Sequence, residues 1–408
     1  MEASRDFVYQ KFCEYYRDPS TVIPAPILLD QRECGYLMFK EHFMVRHKHF
    51  VNISNLRAVL SQNTPSDVYH SCAYYENPDF DMDKKGWLGA DLVFDIDADH
   101  ISSSCNKNHD EWSCSKCGKK GRGVPPEFCS NCKGTKFEVK TWPCELCIQS
   151  AREEAMKLLD ILERDFGFSE RETHVFFSGH RGFHVHIEND AVRTLDSMAR
   201  KEIVDYVIGL GLNLFEKKST SKLKKSNDKF WLSDFGWKGR IKFYIRTLIE
   251  NERSDELQKV VGKETASILL RNKNIVLDSC LEEGKWGAFT GVGEGTWMKL
   301  ALSAKNHQTS QIDTVVTTDI HRLIRMNGTL HGKTGLKKVE FPAKNLQDFD
   351  PFTGAVAFKK GEVKVLVSDA PEFKLGGETL GPYKNETKEL PVAAAVMLIC
   401  KGRAKVAN

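Results

Sequence analysis

The segment DLVFDIDADH, residues 91–100, alternates acidic and apolar side chains and is the strongest constraint on the fold. In an extended strand, successive side chains point to opposite faces, so one face would carry carboxylates and the other apolar groups. Asp95 and Asp97 would lie about 6.6 Å apart, and at an effective dielectric of about 20 their repulsion is roughly 2.5 kcal/mol. Folded proteins keep such a pair when a cation offsets the repulsion or one acid stays protonated. The segment therefore predicts a strand with a metal-binding face, although a solvated edge strand would show the same local pattern.

The length and charge of the chain set only broad limits on what it is. A chain of 408 residues suggests two or three domains, or one domain with insertions. Its net charge of +3 neither requires nor excludes a nucleic-acid partner, which must be argued from local clusters. The longest apolar run, PVAAAVMLIC at 391–400, is too short to cross a bilayer. We therefore expect a soluble, intracellular protein with no membrane partner.

The residue patterns along the chain predict a fold of mixed α/β class. Apolar residues recur at helical spacing over 151–166, and Gly167 would end that helix. HVFFSG and FHVHIE are typical of two short strands around a tight turn, and a second helix is predicted over 190–217. The basic, aromatic stretch 217–246 fits either single-strand nucleic-acid binding or a solvated linker. Beyond residue 340 the pattern again favours strands.

Seven of the twelve cysteines lie between Cys105 and Cys147, mostly as CxxC pairs. In a reducing compartment, such spacing indicates metal binding rather than disulfides. One set has the spacing CxxC, eleven residues, CxxC, and consists of Cys114, Cys117, Cys129 and Cys132. Each pair places two thiolates within reach of one tetrahedral ion, and four thiolates close its coordination shell. This set therefore predicts a structural Zn²⁺ site.

A second set of potential zinc ligands surrounds the first in the sequence. Its members are Cys105, His109, Cys144 and Cys147. The two ends of this set would meet if the inner ribbon folds back on itself, which would give a second structural Zn²⁺ site. A CxxxH pair is common by chance, however, and an ordinary surface residue at position 109 is the alternative.

Two further segments carry groups suited to binding anionic oxygen. SGHRGFHVH, residues 178–186, combines a hydroxyl, two glycines, a guanidinium and histidines, although a hairpin with a basic tip would look the same. DTVVTTDIHRLIRMNGTLHGKTG, which begins at Asp313, adds acidic and basic groups, several of them at a spacing that a solvated helix face would also show. Three acids that could hold divalent metal and several basic groups that could hold a triphosphate indicate metal-assisted phosphoryl transfer.

The set of motifs resembles the catalytic small subunit of the archaeal and eukaryotic replicative DNA primase. DIDAD is similar to the family's DxD motif, SGHRGFHVH to its SGxRGxH motif, and IDTVVTTDIHRLIRMNGTLHGKTG to its third-carboxylate and triphosphate region. LQDFDPFTG at 346–354 is similar to a block that follows, so the resemblance runs from about residue 35 to 360. It implies a template-directed nucleotidyltransferase that makes short RNA primers, or DNA primers, for DNA replication.

The resemblance also implies which residues act. The catalytic acids, which would hold Mg²⁺ or Mn²⁺, are Asp95, Asp97 and Asp313, and the nucleotide-binding residues are Ser178, Arg181, His184, Arg325 and His331. It assigns no role to Asp91, Asp99 or His186. The family usually has one zinc knuckle, so the inner ribbon would be an addition.

The resemblance implies a primase-polymerase catalytic core with a mixed sheet flanked by helices. The predicted divisions are a discontinuous core at 1–102, 149–190 and 285–390, a zinc-binding insertion at 103–148, a basic and helical insertion at 191–284, and a C-terminal tail at 391–408. The implied partners are a primase large subunit in a heterodimer, a single-stranded DNA template, nucleoside triphosphates and the replication machinery. The location would be the cytoplasm, with the nucleoid, in an archaeon, or the nucleus in a eukaryote.

Two other functions fit parts of the sequence. A metal-dependent phosphodiesterase or nuclease could use the same paired aspartates and HxH, but it would need a water path rather than a triphosphate clamp. A non-enzymatic zinc-ribbon adaptor for nucleic acid would leave the acids with a structural role. The abundance of phosphate-binding groups beside only three placed acids favours nucleotide binding.

Overall fold

The fold is described from a computed structural model, which describes residues 2–99, 101, 105, 109–212, 235–282 and 290–407. The strands are β1 (Cys34–Met38), β2 (Met44–Lys48), β3 (Pro65–Ser71), β4 (Ala73–Tyr75), β5 (Trp87–Ala90), β6 (Leu92–Asp97), β7 (Glu111–Cys114), β8 (Lys120–Arg122), β9 (Phe137–Lys140), β10 (Thr173–Phe177), β11 (Gly182–Ile187), β12 (Leu323–Arg325), β13 (Val339–Phe341), β14 (Glu362–Ala370), β15 (Phe373–Leu375), β16 (Glu378–Leu380), β17 (Tyr383–Pro391) and β18 (Ala404–Val406). The helices are α1 (Glu2–Arg17), α2 (Ile53–Asn63), α3 (Glu145–Arg164), α4 (Asp190–Arg193), α5 (Ser197–Val207), α6 (Gly236–Glu250), α7 (Ser254–Val261), α8 (Lys263–Arg271), α9 (Lys273–Ile275), α10 (Glu294–Gln308), α11 (Thr314–Thr318), α12 (Pro351–Gly354) and α13 (Val392–Cys400).

The chain forms two compact units. Unit 1 comprises Met1–Met156, Phe168–Glu202 and Gln311–Asn408, and unit 2 comprises Lys157–Gly167 and Ile203–Ser310. The predicted mixed α/β class is confirmed. Among the described residues, no helix is both long and apolar enough to span a membrane.

Two four-stranded sheets form the frame of unit 1. Sheet I has the strand order β12-β3-β1-β2, and sheet II has the order β13-β10-β11-β6. The sheet was expected to be mixed, but every strand pair in sheets I and II is antiparallel. The tight turn between β10 and β11 explains part of this, because two strands joined by so short a connection can pair only in the antiparallel sense.

Sheet II contains the acidic segment and the predicted hairpin. HVFFSG and FHVHIE form β10 and β11, which pair along their length from Thr173 opposite Ile187 to Phe177 opposite Phe183. Strand β6 then pairs with the other edge of β11. Its apolar side chains Leu92, Phe94 and Ile96 are fully buried, and each contributes roughly 1.5–3 kcal/mol to folding. The apolar face of β6 therefore anchors the strand.

The main apolar core of unit 1 joins the two termini of the chain. Phe12 of α1, Leu56 of α2, Val68 of β3, Met326 and Val396 of α13 belong to one buried cluster. The run PVAAAVMLIC forms α13, which is apolar all round and almost wholly buried. Residues 391–408 were expected to form a tail, but α13 packs in this core and β18 pairs with β14. An all-apolar helix is stable in water only when other elements cover it.

The zinc-binding insertion contains a small antiparallel sheet of its own in the order β8-β7-β9. Trp112 on β7 packs edge-on against Phe137 on β9, with ring centroids 5.3 Å apart. Gly121 lies opposite Trp112, and a Cβ at position 121 would come within 2.2 Å of the indole. A small sheet of this kind, packed around one aromatic pair, is typical of domains whose folding depends on bound metal.

Unit 2 is helical in its described part. Ile245 and Leu248 of α6, Leu257 of α7, Leu269 of α8 and Leu300 of α10 form its buried core. Helix α10 was predicted to lie in the catalytic core, which was taken to resume at residue 285, but it groups with unit 2. The functional division into core and insertions stays a prediction.

Unit 2 contains a buried arginine with two carboxylate partners, and the structure describes only part of the basic stretch 217–246. The guanidinium of Arg240 is buried and forms ion pairs with Asp160 and Asp165, at 2.7 and 2.5 Å. Of the predicted helix over 190–217, the structure describes α4 and α5, and residues 213–217 lie outside the described residues. The first part of the basic stretch, 217–234, also lies outside them.

Candidate active site and metal centres

Two acidic side chains project from the same face of β6. Asp95 and Asp97 are half-buried, whereas Phe94 and Ile96 between them are fully buried, so the predicted alternation is confirmed. On the neighbouring strand, His184 lies opposite Asp95, and its Nε2 is 3.6 Å from the Asp95 carboxylate. The face therefore presents carboxylates beside an imidazole.

Gly182 allows β11 to approach β6 closely beside Asp97. The two residues are register partners, and a Cβ at position 182 would lie 2.2 Å from the carbonyl oxygen of Ile96. No side chain can occupy that space without a backbone shift. The second glycine of SGHRGFHVH is therefore explained by strand packing, not by contact with a ligand.

The third predicted acid joins the pair from a distant part of the sequence. The backbone N–H of Asp313 donates to the carbonyl oxygen of Asp95 at 2.8 Å. The Asp313 side chain caps α11 by accepting hydrogen bonds from the N–H groups of Val315 and Val316. Burial, together with the charges of Asp97 and Asp313, raises the pKa of Asp95 to about 7. The structure thus places the Asp313 backbone against Asp95 and brings the charges of Asp97 and Asp313 within range of the Asp95 carboxylate.

Buried basic groups lie beside the acidic pair on the same face of sheet II. Burial, reinforced by the charge of Lys338, holds the pKa of both His184 and His186 well below the usual value for histidine. The Lys338 ammonium donates to the carbonyl oxygen of Arg325 at 2.8 Å and lies 4.2 Å from the ring centroid of Phe176. His186, whose role the sequence left open, stacks against His184 with ring centroids 6.3 Å apart. Both imidazoles are therefore neutral near pH 7.

The turn of SGHRGFHVH meets the segment that carries His331. Gly179 has φ +91°, and a Cβ there would lie 3.0 Å from the Cβ of His331. The hydroxyl of Thr334 donates to the carbonyl oxygen of Gly179 at 2.6 Å. The imidazole of His331 also stacks on that of His180, with centroids 5.3 Å apart. Two motifs separated by about 150 residues therefore form one surface.

Arg325 is buried and already has a carboxylate partner. It lies on β12 and forms an ion pair with Asp67 on β3, at 2.5 Å. Asp67 also accepts a hydrogen bond from the backbone N–H of Gly332 at 3.1 Å. Asp67 could not be predicted from the sequence, because a single aspartate in a strand has no spacing signature. The Arg325–Asp67 pair fixes the backbone next to His331.

Arg181 lies between the acidic strand and the outer zinc set. It is almost completely buried, donates to Asp99, and lies 4.0 Å from Asp97. On its other side it forms an ion pair with Asp110 at 2.9 Å. Burial lowers the pKa of this guanidinium, but the charges of Asp99 and Asp110 outweigh burial and raise it. Asp99, for which the resemblance implied no role, is a partner of Arg181.

The outer zinc set is assembled as the sequence predicted. The ligand atoms of Cys105, His109, Cys144 and Cys147 all lie within 4.8 Å of one another. Cys105 and Cys147 have sulfurs 3.3 Å apart, and His109 Nε2 is 3.1 Å from the Cys144 sulfur. A tetrahedral zinc with bonds of about 2.3 Å has ligands about 3.8 Å apart, so the set fits zinc. His109 Nδ1 lies 2.8 Å from Asp110, as in many zinc sites in which a carboxylate orients the histidine.

The inner zinc set is also assembled. Its four members, Cys114, Cys117, Cys129 and Cys132, have sulfurs within 4.8 Å of one another. The sulfurs of Cys114 and Cys132 are 3.5 Å apart, and those of Cys117 and Cys129 are 3.6 Å apart. Both predicted sets are therefore able to bind zinc.

Comparisons with known proteins decide the family. A sequence model described as DNA primase small subunit matches residues 139–342. The chain is 34% identical over 409 residues to the DNA primase small subunit PriS of Nitrosopumilus maritimus, with 100% of both chains covered. It is also 34% identical to the PriS proteins of Cenarchaeum symbiosum and Methanococcoides burtonii, over 98% of this chain and 97% of each relative. The chain belongs to the DNA primase small subunit family.

Membership of the primase small subunit family confirms the resemblance and the DNA-priming function inferred from the sequence motifs. The individual roles of the site residues stay predictions. Two further basic residues lie near these groups. Arg322 lies close enough to lower the pKa of Asp95, and Lys401 reaches His180 from the end of α13.

Asp91 departs from the predicted pattern. It precedes β6, and its carboxylate forms a buried ion pair with Arg32 at 2.6 Å and accepts a hydrogen bond from the Tyr74 hydroxyl. It is therefore not part of the acidic face. The alternation alone could not reveal this, because the strand that sets the direction of each side chain begins one residue later.

Proposed function

We propose that this chain is the catalytic subunit of the primase, a nucleotidyltransferase that joins nucleoside triphosphates into primers on a single-stranded DNA template. The observation that carries the proposal is that Asp95 and Asp97 share one face of β6, with His184 opposite Asp95 and the backbone of Asp313 hydrogen-bonded to Asp95. Three carboxylates with one raised pKa suit divalent cations, and the adjacent imidazoles suit phosphate. Membership of the DNA primase small subunit family supports this reaction.

We propose that Asp95, Asp97 and Asp313 hold Mg²⁺ or Mn²⁺. The fit rests on their chemistry, because hard cations prefer carboxylate oxygens. Burial and the charges of Asp97 and Asp313 raise the pKa of Asp95 to about 7, and a cation would relieve that repulsion. When bound, such ions lower the pKa of the attacking 3′-hydroxyl and offset the charge on the departing pyrophosphate. The acids would thereby orient the reacting groups as well as bind metal.

Two neutral histidines are the proposed direct ligands of the triphosphate. His331 Nδ1 accepts the backbone N–H of Lys333 at 3.1 Å, so the neutral ring carries its proton on Nε2 and can donate it to a phosphate oxygen. His184 Nδ1 is buried without a hydrogen-bond partner in the described structure, so this nitrogen is able to form a further hydrogen bond. A neutral donor binds phosphate without neutralising the acids.

Ser178, Arg181 and Arg325 complete the predicted nucleotide-binding set. The Ser178 hydroxyl accepts the N–H of His180, which shapes the turn beside the histidines. Both arginines have carboxylate partners, so we propose that they act by holding the neighbouring backbone and by adding positive potential. Fixed charges in a site with little water act at longer range than they do in bulk solvent.

We expect purified protein to contain two zinc ions per chain, measured by elemental analysis. The closed ligand sets leave no position for substrate, so both ions would be structural. The double variant Cys114→Ser with Cys117→Ser should contain one zinc and keep the Mn²⁺ affinity of the acidic site. One zinc in the wild-type protein would mean that the outer set is not a site.

The remaining partners follow from the family. The relatives are named small subunits, which supports a heterodimer with a primase large subunit. We propose that the complex works with the replication machinery on single-stranded DNA, and the archaeal relatives favour the cytoplasm, beside the nucleoid.

A primer-synthesis assay tests the proposed function. Labelled nucleoside triphosphates, a single-stranded template and Mg²⁺ or Mn²⁺ should give new polymer with the wild-type chain and none without template. A shortened template would indicate a nuclease, and template binding without either reaction would indicate an adaptor. A preparation with the Asp97→Asn substitution controls for contaminating polymerase.

A further inference from the structure

Lys401, near the C-terminal end of the sequence, reaches the proposed triphosphate site. It directly follows α13, and its ammonium donates to His180 Nε2 at 2.7 Å. The same nitrogen of His180 lies 3.2 Å from the hydroxyl of Thr141. His180 in turn stacks on His331, one of the proposed phosphate ligands. We refer to Lys401, His180 and His331 as the lysine–histidine group.

The surroundings of Lys401 are cationic. Within the described part of the chain, its ammonium has no carboxylate within 4.0 Å, and the acid whose charge reaches it, Asp99, is already bound to Arg181. Burial and the charges of Arg181 and Lys333 lower the pKa of Lys401 to about 7. Burial and the charge of Lys401 likewise hold the pKa of His180 well below its usual value. A buried ammonium without a carboxylate partner is costly unless an anion joins it.

The lysine–histidine group lies next to the acidic face. His180, Asp97 and Asp99 have ligand atoms within 4.8 Å of one another. An anion held by Lys401 would therefore be close to a metal ion held by Asp97. The ligand that needs both a divalent cation and basic donors at such spacing is a polyphosphate.

We propose that Lys401 binds the terminal phosphate of the incoming nucleoside triphosphate, with His180 and His331 as its neighbours. The inference rests on the proposed nucleotidyltransferase function and adds a binding residue from a part of the chain far from the sequence motifs. Lys401 makes one charge-assisted bond that a diphosphate, with one phosphate fewer, would not reach. The residue therefore favours triphosphates over diphosphates.

The test compares nucleotide binding by Lys401→Met, Lys401→Arg and Lys405→Met, measured by calorimetry with Mg²⁺ and no template. Lys405 is exposed on β18 and controls for the loss of one positive charge near the C-terminus. We expect Lys401→Met to weaken binding of a nucleoside triphosphate about tenfold and to leave the diphosphate unchanged. Lys401→Arg should retain most of the affinity, and Lys405→Met should match the wild type.

A second measurement needs no variant. Reductive methylation mapped by mass spectrometry should show that the triphosphate protects Lys401 and leaves Lys405 reactive, and that the diphosphate protects neither. The inference would be overturned if Lys401→Met lost equal affinity for triphosphate and diphosphate. It would also be overturned if this variant bound single-stranded DNA more weakly with unchanged nucleotide affinity. If the wild type makes primers while Lys401→Met keeps its preference for triphosphate, the inference alone fails. No primer synthesis and no nucleotide binding by the wild type would remove the proposed function as well.

Discussion

Asp97→Asn should reduce template-directed incorporation by roughly a thousandfold, the effect of losing about 4 kcal/mol of transition-state stabilisation from a metal ligand. The protein should stay folded, because the buried apolar face of β6 anchors the strand and the Asp97 side chain is only half-buried. Incorporation of labelled nucleotide on a primed template, together with Mn²⁺ binding followed by electron paramagnetic resonance, checks both the reaction and its cause. Asp79→Asn is the matched control, since Asp79 is exposed.

Asp95→Asn should have the same effect on incorporation and an additional effect on stability. The folded pKa of Asp95, about 7, lies above the value of about 3.9 for an unfolded aspartate, so the folded state favours the protonated form. Below pH 4 Asp95 does not lower the free energy of unfolding. As pH rises towards 7 it lowers this free energy increasingly, because the unfolded chain releases the proton first.

The gain in stability expected for Asp95→Asn follows from the folded and unfolded pKa values of Asp95. The difference between the folded and unfolded pKa values of Asp95 corresponds to about 4 kcal/mol, and we expect about half of that, because the side chain keeps 24% of its exposure. With zinc retained and no added Mg²⁺ or Mn²⁺, Asp95→Asn should therefore be more stable than the wild type at pH 7.5 and equal to it at pH 4. Denaturant unfolding at the two pH values measures this. Wild-type incorporation by either variant would show that the acids are not the metal site.

Arg181→Met should destabilise the protein by about 3–5 kcal/mol, the usual consequence of removing one member of a buried ion pair. Asp110 would be left nearly buried without its cation, at 5% side-chain exposure, next to the proposed zinc ligand His109. Incorporation should fall as well, because Arg181 also pairs with Asp99 beside the acidic face. Arg171→Met is the charge-matched control, since Arg171 is exposed.

The double variant Arg181→Met with Asp110→Asn separates structural from nucleotide-binding roles of the arginine. It leaves no unpaired buried charge at position 110, so at least about 2 kcal/mol of the lost stability should return. Nucleotide affinity that stays low in this stabilised variant would favour direct contact between Arg181 and phosphate. Wild-type stability of Arg181→Met alone would contradict the structural role.

The sequence predicted the features that depend on neighbouring residues. Alternation over Phe94, Asp95, Ile96 and Asp97 identified both faces of β6, because side-chain direction in a strand is set by position parity. The apolar spacing before Gly167 predicted helix α3, and the turn-forming glycines predicted the β10–β11 hairpin. The CxxC and CxxxH spacings identified both zinc sets, because two ligands three or four residues apart can reach one tetrahedral ion.

The tertiary structure alone decided which charged groups are partners. Asp91 pairs with Arg32 and Arg325 pairs with Asp67, although each of these four residues has other opposite charges nearer in sequence. Lys401, in a segment expected to be a tail, reaches His180 across 221 residues. Ion pairs between distant residues depend on how sheets and helices pack. Packing depends on burial of apolar surface, which is non-directional, so a local sequence pattern does not reveal which elements meet.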